Sequence, residues 1–294
     1  MKILNNKIIA VFAIAVIAIA AVGAVVVMNN NGSGNDSEGA YAVSLNGVDA
    51  TEKNVNNNTY EIKRNLIVCT MGEATGNVKA FLNYITSEDG QKIVGEEFIA
   101  ISEKTTYEAP DKSGKTSITV SGSTTIMDTM SRLAEEYTAK YPYMSIAVSG
   151  GGSGQGAKNA INGVSDIGMC SRDLKASETE KGLIPVTIGK DGVAVIVNDA
   201  GVNNLTTEQV AKIYNGTYTN WSQLGGKDKA IAVVAREDGS GTRECFETSM
   251  TSAVEDWSMK SEVNTLASTG AVIQTIKNTS GSIGYISIGQ LVNL

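Results

Sequence analysis

Histidine is absent from this chain of 294 residues, and cysteine occurs only three times. Without histidine, the side chain that most often serves as general base and metal ligand near neutral pH is missing. Cys69, Cys170 and Cys245 stand far apart with no CxxC spacing, which argues against a zinc site or a disulfide framework. At most one disulfide can form, and the expectation is buried free thiols packing as small apolar groups. Positive charge is also scarce. Lys and Arg number 24 against 31 Asp and Glu, a formal net charge of -7. A surface of that sign repels nucleic-acid phosphates, so no nucleic-acid partner is expected. It does not exclude a small anion, because a buried pocket can be locally positive on an acidic protein. Apolar residues at 42% and charged residues at 19% suit a globular protein. The length exceeds what one core usually holds, so two lobes are expected.

From Ile8 to Met28 the chain carries no charge and no strongly polar side chain, and Lys2 and Lys7 precede this run. It exceeds the apolar region of a secretory signal (~7–15 residues) and matches a membrane-spanning helix (~20). The expectation is an anchor over 1–28 with Lys2 and Lys7 in the cytoplasm and the rest outside. Cleavage after Ala21 or Ala24 is the alternative. Residues 29–40 (NNNGSGNDSEGA) read as a flexible tether.

The body mixes helix and strand periodicities. Glu61–Thr70 contains an apolar run typical of a strand, and 76–99 has helical spacing at Val78, Phe81, Leu82, Ile85, Ile93 and Val94. Residues 102–116 are polar, contain Pro110 and Gly114, and read as a second linker. Strands are then expected at 118–120, 144–148, 165–170, 192–197, 230–235 and 283–288. Helices are expected at 126–141 and 205–214, and after the turns at 150–156 and 236–244. The near-continuous apolar run 192–197 suggests a buried parallel strand. Strands alternating with helices indicate an α/β fold with a parallel sheet.

Three strand-to-helix turns share one design: SGSTT (121–125), GGGSGQG (150–156) and REDGSGT (236–242). Ligands of open parallel sheets bind beyond the carboxyl ends of the strands. Helix N-termini there present backbone N–H groups and partial positive charge. Glycine lets backbone approach a ligand closely, and Ser and Thr hydroxyls add short donors. Arg236 is the strongest single candidate, since a guanidinium donates two parallel hydrogen bonds to an oxyanion. Asp238, two residues on, is placed to hold it. Any one such turn is explained as an ordinary helix cap; three with an arginine point to a tetrahedral oxyanion held without a metal.

Enzyme motifs fail. APDKSGKT (109–116) approximates a phosphate-binding loop, but Ala109 replaces the first glycine, and the stretch follows no strand and opens no helix. GGSGQG is a weak dinucleotide fingerprint with no acidic partner in a clear role. A serine hydrolase lacks its histidine base. A metal-free hydrolase or phosphotransferase remains the alternative of a different class, to be separated by a turnover assay on phosphate esters.

ITVSGSTTIMDTM (118–130), VSGGGSGQGAKNAINGVSDIGMCSRDL (148–174), GVAVIVN (192–198), LTTEQVAKIYNGTYTNWSQLGG (205–226), REDGSGTRECF (236–246) and SGSIGYISIG (280–289) together resemble the substrate-binding protein of the ABC phosphate transporter. The resemblance implies a two-lobed α/β fold like that of periplasmic binding proteins, with parallel or mixed sheets and two hinge crossings. It also implies phosphate binding without catalysis or cofactor, and a membrane permease as partner. By motif it assigns phosphate contacts to Thr124, Thr125, Ser153, Arg236, Ser240, Gly241 and Thr242. Where well-known members carry an aspartate that accepts a proton from phosphate, this chain has Ser171, followed by Arg172. Asp191 is the candidate substitute acceptor. The segment that follows the IGYISIG-like strand in the family lies here at 44–101, so the order resembles a circular permutation with 102–116 as the joining linker. One lobe is then expected to comprise 42–101, 117–188 and 284–294, the other 189–283. Binding of another tetrahedral oxyanion, or phosphate sensing in place of transport, is the alternative within the same fold.

Overall fold

The structure is a computed structural model that describes residues 39–294. The apolar segment 8–28 and the tether up to residue 38 lie outside the described residues. Among the described residues no helix is long and apolar enough to cross a membrane.

One strand organises the body. Leu183–Asn198 is 16 residues long, and its two halves serve different neighbours. Residues 183–192 pair antiparallel with the strand Lys63–Met71, and 193–197 pair antiparallel with Ser282–Ser287. Outward from Lys63–Met71 lie Ile167–Cys170, Ser117–Gly122 and Ser145–Ser149, the last three mutually parallel. Outward from Ser282–Ser287 lie Ala232–Arg236 and Asn264–Leu266, parallel to it and to each other. The result is a mixed sheet with an antiparallel middle and two parallel wings. The run 192–197 is thus apolar for a different reason from the one expected. Its neighbours Ala40–Ala42 and Ser282–Ser287 are antiparallel to it. Both its faces are covered, however: Val193, Val195 and Val197 pack with Val210, Tyr214 and Phe246, and Ile196 packs with Val272 and Ile276.

Each wing has its own core. Leu66, Val68, Phe81, Ile85, Ile118, Val120, Met130, Leu133 and Tyr137 form the first. Val43, Leu45, Tyr60, Ile62, Val195, Tyr214, Trp221, Phe246 and Tyr285 form the second. This division departs from the expected lobe boundaries at both ends. Residues 43–62 join the core of 193–285, not that of 118–169, because Ala40–Ala42 pairs with Ile196–Asn198. Residues 284–294 do likewise: Ile288 lies in the second core, and Leu291 and Leu294 pack on the cluster of Ile196, Val272 and Ile276. The chain passes between the cores at 63–65 and again at 189–192, and these stretches are paired in register, Lys63 with Gly192 and Arg64 with Asp191.

The expected helix over 76–99 is two helices, Gly76–Ile85 and Glu88–Val94. Thr86 closes the first, and the Ser87 hydroxyl caps the second by accepting from the Gly90 N–H. Gly90 sits where a Cβ would fall 2.2 Å from the Tyr84 carbonyl, so the break requires glycine there. Linker 102–116 is tied to this lobe. The Asn77 amide donates to the carbonyls of Asp111 (2.8 Å) and Lys115 (2.9 Å), and Pro110 is buried.

Candidate functional site

All three glycine-containing turns end parallel strands, and the structure brings them together between the wings. SGSTT follows Ser117–Gly122 and leads into the helix Met127–Lys140; GGGSGQG opens the helix Ser153–Ile161; REDGSGT opens the helix Gly241–Ala253. Neither of the first two helices has a side-chain cap. The third does: the Ser240 hydroxyl accepts from the Arg243 N–H, so the ordinary cap explanation holds for Ser240. Gly239, at φ +82°, makes the turn that carries its carbonyl to the Gly154 N–H, 2.9 Å away on the other lobe.

Arg236 is 2% exposed at the centre of this junction. Its Nη2 donates to Thr124 Oγ1 across the lobes (3.1 Å) and its Nη1 to Thr269 Oγ1 (3.1 Å). The carboxylate that holds it belongs to Glu237, which accepts from Nε and Nη2 at 2.8 Å each. Asp238 does not do this: its exposed side chain pairs with Arg243 at 2.7 Å. Side chains alternate faces within a strand, but Arg236 is the last strand residue, so that alternation stops before 238.

Thr125 Oγ1 lies 3.1 Å from Thr242 Oγ1 on the facing lobe. Ser153 Oγ accepts from the Ser171 N–H (3.0 Å) and stands 3.4 Å from Ser171 Oγ. Gly241 presses against this pair. A Cβ there would lie 2.4 Å from Ser153 Oγ and 2.8 Å from Ser171 Oγ. Thr124, Thr125, Ser153, Ser171, Arg236, Gly241 and Thr242 thus converge, with Ser240 behind them.

Arg172 and Asp191 sit elsewhere than expected. Arg172 faces the rim, where it pairs with Glu178 (2.7 Å) and with Glu244 of the opposite lobe (2.9 Å). Burial works against the Arg172 charge, yet Glu178 and Glu244 push its pKa upward overall. Asp191 is 3% exposed and engaged on both oxygens. Oδ2 accepts from Arg64 Nε (3.0 Å) and Nη2 (2.7 Å), and Oδ1 accepts from the Ser287 hydroxyl (2.8 Å). Burial pushes its carboxyl up, and Arg64 and Ser287 oppose that. An acceptor so occupied is not turned to a ligand.

Three neighbours escaped the sequence analysis. Arg64 is a charged residue within the buried strand Lys63–Met71, a mismatch visible in EIKRNLIVCT. Glu237 is the residue next to Arg236. Thr269 belongs to a fourth Ser/Thr-Gly turn, LASTG (266–270), between the strand Asn264–Leu266 and the helix Thr269–Asn278. All three cysteines are free as expected; Cys69 and Cys170 are buried, whereas Cys245 is only half-buried.

Comparison with known proteins places these features in a family. The profile of a PBP superfamily domain matches residues 108–294. The chain is 34% identical over 194 residues to "Phosphate-binding protein PstS 2" of Streptococcus agalactiae, covering 65% of this chain and 66% of that one. It is 35% identical over 182 residues to "Phosphate-binding protein PstS" of Bacillus subtilis, covering 60% and 59%. It therefore spans less than two thirds of the length of each of these relatives. Among solved structures, a putative phosphate ABC transporter substrate-binding protein with bound phosphate from Clostridium perfringens is similar, at TM-score 0.54 and 40% identity, over 58% of this chain and 70% of that one. A phosphate-binding protein of a phosphate ABC transporter from Streptococcus pneumoniae also gives TM-score 0.54, at 28% identity over 63% and 72%.

Proposed function

Since the chain belongs to the PBP superfamily, whose domain covers residues 108–294, we propose that its body captures inorganic phosphate and hands it to the permease of an ABC-type importer. One observation carries this reading: hydroxyl and guanidinium donors from both lobes converge at Arg236, Thr124, Thr125 and Thr242. A similar chain was solved with phosphate bound. Phosphate is bound between the lobes by Thr124, Thr125, Ser153, Ser171, Arg236, Ser240, Gly241 and Thr242. The paired stretches 63–65 and 189–192 are the hinge, and closure buries the anion. The protein works without catalysis, metal or cofactor. Residues 8–28 anchor the chain in the membrane with its body outside the cytoplasm.

The segment order is a circular permutation of the family's. Ala42 and Gly284 flank Ile196 from opposite sides of one strand, so they stand about two strand spacings, ~9–10 Å, apart. Ala42 and Leu294 pack on one apolar cluster. The strand Lys63–Met71 lies in the sheet of the SGSTT turn, and Phe81 and Ile85 share its core. A profile match confined to 108–294 also fits, because a moved segment does not align collinearly.

Isothermal titration with phosphate, sulfate and molybdate tests the ligand. Phosphate binding that is lost in Arg236→Ala supports the reading. Failure of the wild type to bind phosphate, or turnover of phosphate esters, overturns it.

A further inference from the structure

A buried charge, Arg64, stands beside the site and touches two of its residues. Arg64 is 7% exposed and lies on the hinge stretch, in register with Asp191 on the neighbouring strand. Two of its nitrogens are held by Asp191 Oδ2. The third, Nη1, points the other way. It donates to Thr242 Oγ1 at 2.7 Å and to the Ser171 carbonyl at 3.2 Å. Thr242 and Ser171 are both in the site described above, and they come from different lobes.

We propose that Arg64 is a positioning residue of the anion site, which orients the Thr242 hydroxyl as a donor and biases the site toward dianionic tetrahedral oxyanions, whether or not they carry a proton. The inference rests on the phosphate reading and deepens it.

A hydroxyl that accepts from a guanidinium has its lone pairs engaged by a charged donor, so its own hydrogen turns outward and is the better donor for it. Thr242 Oγ1 faces Thr125 Oγ1 at 3.1 Å, so that hydrogen is directed at the junction between the lobes. The Arg64–Asp191 pair is neutral overall, but its dipole is fixed. The guanidinium faces Thr242 and Ser171, and the carboxylate lies behind it against Ser287. In a dry site such a dipole acts at close range with little screening.

The carboxylates nearby do not offset this. Both oxygens of Glu237 accept from Arg236, and both oxygens of Asp191 are engaged. Ser171 stands where the resemblance led one to expect an aspartate. A site rich in donors, with its carboxylates occupied, gives no reward for a proton on the ligand and no penalty for its absence. Phosphate is therefore held best as its dianion, and sulfate competes with it.

The test is titration of the full chain with phosphate and with sulfate, on both sides of the second ionisation of phosphate. Three proteins are compared: wild type, Arg64→Lys, and Arg64→Gln combined with Asp191→Asn. Thermal midpoints without anion report folding. The double variant removes the buried pair as a unit, so no lone charge is stranded. Arg64→Lys keeps the charge, but an ammonium lacks the planar fork that engages Asp191 and Thr242 together. Three results are expected. Wild-type phosphate affinity rises as pH rises through the second ionisation, sulfate competes within about tenfold, and each variant loses at least about tenfold in phosphate affinity with a flatter pH profile. A variant with a wild-type midpoint that binds phosphate within threefold of wild type, with an unchanged profile, overturns the proposal; so does strict rejection of sulfate by the wild type. A wild type that binds neither anion overturns the phosphate reading and this one with it, whereas binding that is equal in all three proteins overturns this one alone.

Discussion

Arg236 is the residue on which the proposed affinity rests. It is buried and reaches Thr124 and Thr269 from one guanidinium, and Glu237 holds its remaining face. Arg236→Ala removes a charge-assisted contact, and a cost of ~2–5 kcal/mol is expected from such truncations. Phosphate titration should therefore show a loss of at least thirtyfold, on the scale of ~1.4 kcal/mol per tenfold. The fold should survive, because Glu237 is partly exposed and regains water. Asp238 provides the contrast. Its side chain is 93% exposed and its partner is Arg243, so Asp238→Asn should leave phosphate affinity within threefold. Equal losses in the two variants would show that Glu237 is not the clamp. The arginine was legible in REDGSGT; its carboxylate partner was not, because the choice between 237 and 238 depends on where the strand ends.

At the scale of elements, the start of the helix Gly241–Ala253 decides whether the lobes meet. Gly241 has no positive φ, and alanine is the better helix former, so Gly241→Ala should not lower the thermal midpoint of the anion-free protein. Its methyl group would overlap Ser153 Oγ, however, and the lobes could not approach. The midpoint should thus stop rising on phosphate addition, whereas wild type gains RT ln(1 + [L]/Kd). A rise in the variant equal to that of wild type would show that this contact does not govern closure. A second junction carries a pH dependence. Glu97 accepts from Thr129, on the helix Met127–Lys140, and from Gln290, in the last turn Ile288–Asn293. Burial raises its carboxyl above the ordinary value, against those two hydrogen bonds, and Asp128 and Asp191 add to the rise. The folded state then binds more protons than the unfolded state above about pH 4.3, so this contribution to stability falls as pH rises through the folded pKa. Thermal midpoints across that window should drop less in Glu97→Gln than in wild type. An identical slope in both would remove Glu97 as the cause.

At the scale of the whole molecule, the proposed permutation makes the linker and the ends interchangeable. A chain opened within 102–116 and closed by a short glycine linker from Leu294 to Tyr41 should keep the same sheet order. The packing of Ala42 and Leu294 on one cluster leaves little distance to span. Its phosphate affinity should match wild type within a few-fold, and its stability should differ mainly through loop-closure entropy, which changes slowly with length. A rearranged chain that is insoluble or fails to bind would contradict the permutation. The same rearrangement probes the lobe assignment, since 43–62 and 284–294 both rest on the core of 193–285.

Local chemistry was enough to place several parts of this protein. The periodicities of 117–122 and 127–140 follow from which residues are apolar, and so do the turns with glycine, serine and threonine after each strand; the structure has them within a few residues. The arginine of the third turn and the family resemblance also belong to the residues themselves. What only the tertiary structure decided is pairing. A continuous apolar run states that both faces of 192–197 are covered, but it is the same run whether its neighbours are parallel or antiparallel. The lobe to which 43–62 belongs is set by two short pairings, 40–42 with 196–198 and 44–45 with 204–205, too short to leave a periodic signal. Asp191 looked like a free acceptor in sequence because its partner, Arg64, is 127 residues away and meets it only when two hinge strands lie side by side. Residue type shows which groups can donate or accept, and packing determines which of them already have partners.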